Sequence, residues 1–369
     1  MIERRSISGY DVAFFALLFT LLGVGLLSIY SVTSASGRSP HYLRQIYWIG
    51  LGLIAFLVMA WIDYHQIVRL AYPAYFLTIV SLLLVLVMGR TSLGATRWLS
   101  FGPFSFQPSE LAKISLLLVL AKHFSEHFPR KGLGMAELIF PGVIMVIPMA
   151  LILKQPDLGT ALAISSVFIS MVFVLGFRSQ FMIWSSLLSL ISIPFMWQIF
   201  WNNLKGYQRN RLTIFMEPST DPMGSGYHLL QSKIAIGSGK IFGKGLWGGT
   251  QSQLKFLPES HTDFIFSVFS EAWGFVGVFF LFVLFLLLVL WGIEVAYKAK
   301  DPLGALLAIG IVGLISSYFL VNVGMTLGLV PVVGIPLPLI SYGGTSMVIT
   351  LGLLGLLFNV KLRRFMLFY

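Results

Sequence analysis

Two acids and a histidine stand in KFLPESHTDFIFSVFSEAWG, residues 255–274, where a polar loop gives way to a long apolar run; a further acid, Glu271, lies two turns deeper. Glu259 and Asp263 are four residues apart and Asp263 and Glu271 eight, so one helical face can present all three. A positioned carboxylate can take the proton of an attacking hydroxyl, or help to hold an oxygen-preferring cation such as Mg²⁺ or Mn²⁺. His261 can carry a proton or ligate a metal, although one histidine among scattered carboxylates is a poor zinc pattern. Pro258 and the capping candidates Ser260 and Thr262 set a helix start between the acids, with Glu259 in the loop and Asp263 in the first turn. An acid there also complements the helix dipole, so a purely structural role stands beside the chemical one.

The same pairing of charge with an apolar run recurs twice. In FQPSELAK, Gln107 can cap a helix, Pro108 suits its first position, and Glu110 has Lys113 as its i+3 partner. Dipole compensation accounts for this pair, yet both charges must enter a span, where ionisable groups are costly and tend to mark functional sites. In KQPDLGTALA, Asp157 opens a second span beside Lys154, and Gly159 permits close helix packing.

Between residues 204 and 262 a large loop carries Lys205, Arg209, Arg211, Lys233, Lys240, Lys244 and Lys255, which suits an anionic ligand. Its run IGSGKIFGKGLWGG alternates glycine with lysine, so backbone N–H groups can approach a phosphate, although the phosphate-binding G-x-x-x-x-G-K-[ST] spacing is missing. A solvated, flexible loop is the plain alternative. LLQSKIAI within it is amphipathic and predicts a short interfacial helix. Towards the carboxyl end, IPLPLISYGGTS breaks the approach to the last span; Ser341 and Tyr342 there either bind a ligand or satisfy irregular backbone. No Gly-x-Ser-x-Gly elbow supports a serine nucleophile.

The elements that position these residues follow from composition. Of 369 residues 57% are hydrophobic and 11% charged, with no cysteine; soluble domains carry far more charge. Apolar runs at 11–32, 46–62, 72–89, 108–125, 138–154, 158–177, 180–203, 263–294, 303–330 and 341–360 predict an all-α integral membrane protein. It has about ten transmembrane helices in a single domain, residues 1–369, with the large loop between helices 7 and 8. With a cytoplasmic amino terminus, the inner segments hold Arg4, Arg5, Arg69, Lys122, Arg130, Lys131, Arg178, Lys298, Lys300, Lys361, Arg363 and Arg364. The short outer loops keep Arg38, Arg44, Arg90, Arg97 and Lys154, so both termini are predicted to be cytoplasmic and the long irregular loops extracytoplasmic. The net charge of +11 has no compact basic domain to display it to nucleic acid; anionic lipid or a phosphorylated lipid substrate fits better.

Four motifs, GATRWLSFGPFSFQPSELAK, QPDLGTA, LPESHTDFIFSVFSEAWG and PLPLISYGGTSM, together closely resemble the SEDS family of bacterial shape, elongation, division and sporulation proteins, over essentially the whole chain. Their wording and the compact termini are most similar to the elongation branch. The resemblance implies a ten-helix glycosyltransferase of the cytoplasmic membrane that polymerises lipid II on its outer face. It implies a class B penicillin-binding protein and the elongation machinery as partners, a possible Mg²⁺ or Mn²⁺, and no organic cofactor. In the family the aspartate of the HTDFIF motif is the essential catalytic residue; here it is Asp263. Glu110 and Lys113 would maintain the site, and Arg97, Lys154, Arg209, Arg211, Lys233, Lys240 and Lys244 are candidates for the pyrophosphate. Asp157, Glu259 and His261 would support it, and Glu271 would brace the bundle. GATRWL carries threonine where many relatives have a second arginine, leaving Arg97 alone there. A lipid II flippase, or a non-catalytic scaffold for the penicillin-binding protein, are the competing functions.

Overall fold

The computed structural model describes residues 9–34, 40–92, 95–101, 104–128, 132–179, 181, 206–217, 221, 224–253, 256–257 and 259–364. The predicted span at 180–203, apart from Phe181, lies outside them, as do Arg4, Arg5, Arg38, Arg130, Lys131, Lys205, Lys255 and Pro258.

The chain runs through α1 (Gly9–Ser34), α2 (Pro40–Trp61), the short α3 (Tyr64–Arg69) and α4 (Ala71–Met88). Next come β1 (Arg90–Ser92), β2 (Ala95–Phe101) and β3 (Phe104–Phe106), then α5 (Pro108–Glu126), α6 (Met135–Lys154) and α7 (Leu158–Leu175). The large loop contains α8 (Gly206–Met216), α9 (Ser225–Ser238) and α10 (Thr250–Gln253); α11 (Ile265–Tyr297), α12 (Pro302–Leu327) and α13 (Gly344–Arg363) complete the bundle. Eight of the described helices are long and apolar enough to cross a membrane. The helix α5 is more charged, carrying Glu110, Lys113, Lys122 and Glu126, but most of its residues from Pro108 to Ala121 are buried among its neighbours. It is a span shielded from lipid by the bundle, which is why it tolerates a buried ion pair.

A small antiparallel sheet, β1-β2-β3, was not foreseen from the sequence. It pairs Leu99 with Phe106 and folds β2 back against α5. In so short a segment the strand alternation is masked by the general apolarity of the chain.

Near the carboxyl end the bundle is organised by α12, which packs on α5, α7, α11 and α13. The helix ends divide into a site end, holding the sheet, the large loop and residues 328–343, and a far end. At the far end polar contacts tie the helices together. Tyr64 donates to Asp301 (2.7 Å), His65 lies between Asp63 and Asp301 (2.9 Å each), and Lys361 pairs with Asp11 (2.6 Å).

The helix α11 is broken. At 33 residues it would be about 50 Å long, well beyond a bilayer core, and Gly274 interrupts it with φ 63° and ψ −164°. The freed backbone groups bond to the large loop: Phe275 N donates to Lys240 O (2.9 Å), Val276 N to Ile241 O (3.0 Å), Lys244 N to Glu271 O (3.0 Å) and Gly245 N to Ala272 O (2.9 Å). A Cβ on Gly274 would lie 2.6 Å from Ile241 O, and its dihedrals belong to a region open almost only to glycine. Gly274→Ala is therefore expected to cost at least about 1–3 kcal/mol. It should lower the thermal unfolding midpoint and expose residues 239–245 to hydrogen exchange; unchanged protection there would refute the docking.

Candidate functional site

Asp263 lies in the turn just before α11, whose N-cap is Phe264, rather than in the helix's first turn as the capping pattern predicts. Thr262 N and Phe264 N both donate to Glu259 O, so the chain makes a tight turn where the sequence suggested one more turn of helix. The Asp263 carboxylate is half-buried. A Cβ built on Gly334, which has φ +75°, would sit 3.2 Å from Asp263 Oδ2, so the carboxylate lies against the 328–343 loop. Burial and the nearby Glu259 push its pKa up to about 6, against the pull of Arg97 and Arg211, while Asp157 adds a smaller push in the same direction. Those neighbours come from four separate parts of the chain: the loop before α11, β2, α8 and the start of α7.

Arg97 on β2 donates to Gln155 O (3.4 Å) and to Pro156 O, and its guanidinium is 3.9 Å from Asp157 Oδ1. Asp157 is the N-cap of α7, accepting from Thr160 N (3.2 Å) and Thr160 Oγ1 (2.9 Å). Gln107 sits at the cap position of α5, but its side chain makes no cap bond and donates instead to Asp157 Oδ2 (3.3 Å). At the head of α7, Gly159 lets Ile335 approach: a Cβ there would meet Ile335 Cγ1 at 2.8 Å. The loop at 333–335 thus touches both Asp263 and the start of α7.

Deeper in the bundle, Lys113 Nζ is 2.6 Å from Glu110 Oε2 and donates to the Tyr318 hydroxyl (2.8 Å). Both charges are buried, with side chains 3% and 7% exposed. Tyr318 precedes Asn322 by one turn of α12, and Asn322 Nδ2 donates to Asp263 O (2.9 Å) and Ile335 O (2.6 Å). Lys113 therefore contacts α12 one turn from the residue that holds the Asp263 turn.

Other predicted residues have different duties. Ser341 and Tyr342 hold backbone. Ser341 Oγ donates to Thr262 O (2.7 Å) and accepts from Leu337 N (2.7 Å), and Tyr342 N donates to His261 O (2.9 Å). Glycines 239 and 243 serve contact with the α11 backbone rather than with phosphate, since a Cβ at either would strike the carbonyls of Ser270 or Ala272. Lys244 pairs with the buried Glu271 (3.0 Å), which also accepts from Thr250 N (2.8 Å) and Gln251 N (3.1 Å). Glu271 thus anchors the large loop, and Lys244 is committed to it. The side chain of Lys233 lies over Gly328, the left-handed C-cap of α12, where a cation suits the helix terminus. Lys154, Arg209 and Lys240 are exposed and are not among the charges acting most on Asp263; the exposed Glu259 is.

His261 packs against His41 (ring centroids 4.8 Å) and Tyr342 (5.6 Å), and burial, followed by His41, lowers its pKa against the pull of Glu259. His41, Gln45, Tyr318 and Asn322 were missed by sequence reasoning. Gln45 donates to Ser341 O (3.3 Å) and accepts from Gly343 N (3.4 Å). His41 and Gln45 are one turn apart at the site end of α2, as Tyr318 and Asn322 are on α12. Polar residues at i and i+4 inside apolar spans were the available signal.

A multi-pass helical membrane protein with carboxylates and arginines gathered at one end of the bundle is the class that this fold and site define. The chain belongs to the FtsW, RodA and SpoVE family of cell-cycle proteins, whose profile matches residues 11–365. It is 38% identical over 352 residues to the peptidoglycan glycosyltransferase MrdB of Escherichia coli K12, covering 95% of this chain and 94% of that protein. It is 33% identical over 433 residues to the peptidoglycan glycosyltransferase RodA of Treponema pallidum, covering 98% and 99%. Among solved structures, a chain from a peptidoglycan synthase complex that coordinates polymerization and crosslinking matches with a TM-score of 0.82 at 33% identity, covering 97% of this chain and 99% of that one. The rod shape determining protein RodA of Thermus thermophilus matches with a TM-score of 0.70 at 30% identity, covering 97% and 98%.

Proposed function

We propose that this protein is a peptidoglycan glycosyltransferase that polymerises lipid II, with Asp263 as general base. The observation that carries the reading is the half-buried Asp263 carboxylate, with a pKa near 6 and within electrostatic reach of Arg97 and Arg211, in a chain whose relatives bear that activity. In the reaction the 4-hydroxyl of one lipid-linked disaccharide attacks the anomeric carbon of another. The new C–O bond forms, the bond to the undecaprenyl pyrophosphate oxygen breaks, and the hydroxyl proton passes to the Asp263 carboxylate. Arg97 and Arg211 stabilise the charge that develops on the departing pyrophosphate. A carboxylate of pKa about 6 is mostly ionised at neutral pH yet more basic than an ordinary aspartate, which suits this task. No covalent intermediate is required, so the displacement inverts the anomeric centre.

The site faces the extracytoplasmic side and both termini the cytoplasm. Support comes from the cations Arg69, Lys122, Lys298, Lys361 and Arg363 at helix ends opposite the site. The partner is a class B penicillin-binding protein within the elongation machinery, a reading supported by the crosslinking complex that contains a structural relative.

Among the described residues no three His, Cys, Asp or Glu side chains converge on a metal position. We place any Mg²⁺ or Mn²⁺ with the substrate pyrophosphate. A chelator is expected to slow polymerisation and added Mg²⁺ to restore it; indifference to both would remove the cation from this scheme.

The deciding experiment incubates the purified protein with lipid II and no other transglycosylase, and resolves glycan strands by gel. Strands from the wild type establish the polymerase. Absence of strands together with transbilayer movement of lipid II in vesicles would establish a flippase instead, and neither activity would leave a scaffold.

A further inference from the structure

Three successive carbonyls in the turn that presents Asp263 are each held by a different donor. His261 O accepts from Tyr342 N (2.9 Å), Thr262 O from Ser341 Oγ (2.7 Å) and Asp263 O from Asn322 Nδ2 (2.9 Å). Two of those donors also hold the facing loop. Asn322 Nδ2 donates to Ile335 O (2.6 Å), and Ser341 Oγ accepts from Leu337 N (2.7 Å). Asn322 is fully buried near the site end of an apolar helix, a costly place for an amide unless its bonds are needed. Its amide hydrogens go to two non-helical segments and none to its own helix, so the bonds do not serve α12.

From this geometry we infer that Asn322 is a positioning residue for the polymerase reaction, fixing with Ser341 the distance between the Asp263 turn and the 333–337 loop. The inference rests on Asp263 being the reacting base. Asp263 is flanked by Gly334 on that loop and by Asp157 on α7, which packs on the same loop through Gly159. Releasing either tie lets the loop part from the turn. Water then enters the recess, and the carboxylate loses both its fixed place and the burial that makes it more basic. Asn322 touches neither substrate nor reacting atoms in this scheme; it acts through Asp263.

The test compares full-length wild type, Asn322→Ala, Ser341→Ala and Asp263→Ala with lipid II, measuring kcat, KM, the pH–rate profile and the thermal midpoint. Each tie variant is expected to lower kcat at least about tenfold with KM within about twofold, and to move the acid limb of the profile to lower pH. A folded tie variant with wild-type kcat, with an unmoved acid limb, or with a raised KM and unchanged kcat overturns the inference. Should Asn322→Ala fail to fold, Ser341→Ala decides alone, because it removes one hydroxyl and leaves the α12 bonds intact. Asp263→Ala separates the two levels. If it polymerises normally the base assignment is wrong, whereas if it is inactive and the tie variants are fully active, only the positioning role fails.

Discussion

Asp263→Ala is expected to reduce kcat for lipid II polymerisation by about 10²–10⁴-fold, the range that a general base supplies. KM should change little, because the proposed pyrophosphate contacts, Arg97 and Arg211, remain. The wild-type rate should also carry a signature of this residue. Only the ionised carboxylate accepts the proton, so kcat/KM should rise with pH through about 6 and fall away below it. An ordinary aspartate would place that limb near its reference value of 3.8. Removing a positive neighbour by Arg97→Gln should move the limb further up, since the guanidinium favours the charged form. The stability sign is opposite to that of a salt-bridged acid. The folded-state pKa exceeds the unfolded one, so the folded protein binds the proton more readily, and Asp263 destabilises the fold increasingly as pH rises through that interval. Asp263→Asn should therefore raise the thermal midpoint at neutral pH while abolishing activity. A limb near pH 4, or an Asn variant that melts lower, would contradict the half-buried placement of this carboxylate.

Lys113→Ala is expected to be the most destabilising single change in the bundle. It removes the only ion-pair partner assigned to Glu110 among the described residues and leaves a carboxylate that is 5% exposed within the helices. Breaking a buried pair in this way costs about 3–5 kcal/mol, whereas replacing both members by apolar or neutral groups of similar volume is often tolerated. Glu110→Gln with Lys113→Met should accordingly recover most of the thermal midpoint lost in the single variant. Activity of that double variant then decides what the pair is for. Low activity in a well-folded protein ties the Lys113 contact with Tyr318, one turn from Asn322, to the site; full activity makes the pair a helix-entry device and nothing more. A single variant as stable as wild type would mean that the carboxylate finds another partner.

Charge is conspicuous in an apolar chain, and for that reason much of the site was legible before folding was considered. Asp263, Arg97, Asp157, Glu110 and Lys113 stand out because each must be tolerated near or inside hydrocarbon, and all five come to one end of the bundle or just beneath it. The i+3 spacing predicted the Glu110–Lys113 pair, because it depends on residues within one turn. Other contacts could not be read from local spacing. The glycines and lysines of IGSGKIFGKG suit a phosphate when only local chemistry is considered. Their use is set by the break at Gly274, whose backbone they approach and satisfy. Of the two duties the sequence left open for Ser341, binding a ligand or satisfying backbone, its hydroxyl takes the second because the turn at 261–263 supplies a carbonyl for it.

Helix class, the apolar spans among the described residues and the Glu110–Lys113 pair were thus written locally, since transfer free energy and helix spacing act over a turn or a bilayer thickness. Tertiary structure alone decided which of the loop cations act on Asp263, choosing Arg211 while diverting Lys244 to Glu271 and Lys233 to the end of α12. It likewise decided that Asn322, indistinguishable in sequence from a tolerated polar residue in a span, binds the turn that carries Asp263. Hydrogen bonds between segments far apart in the chain depend on three-dimensional approach, which no spacing encodes; the physical reason is that a buried amide must find a partner wherever packing brings one within about 3 Å.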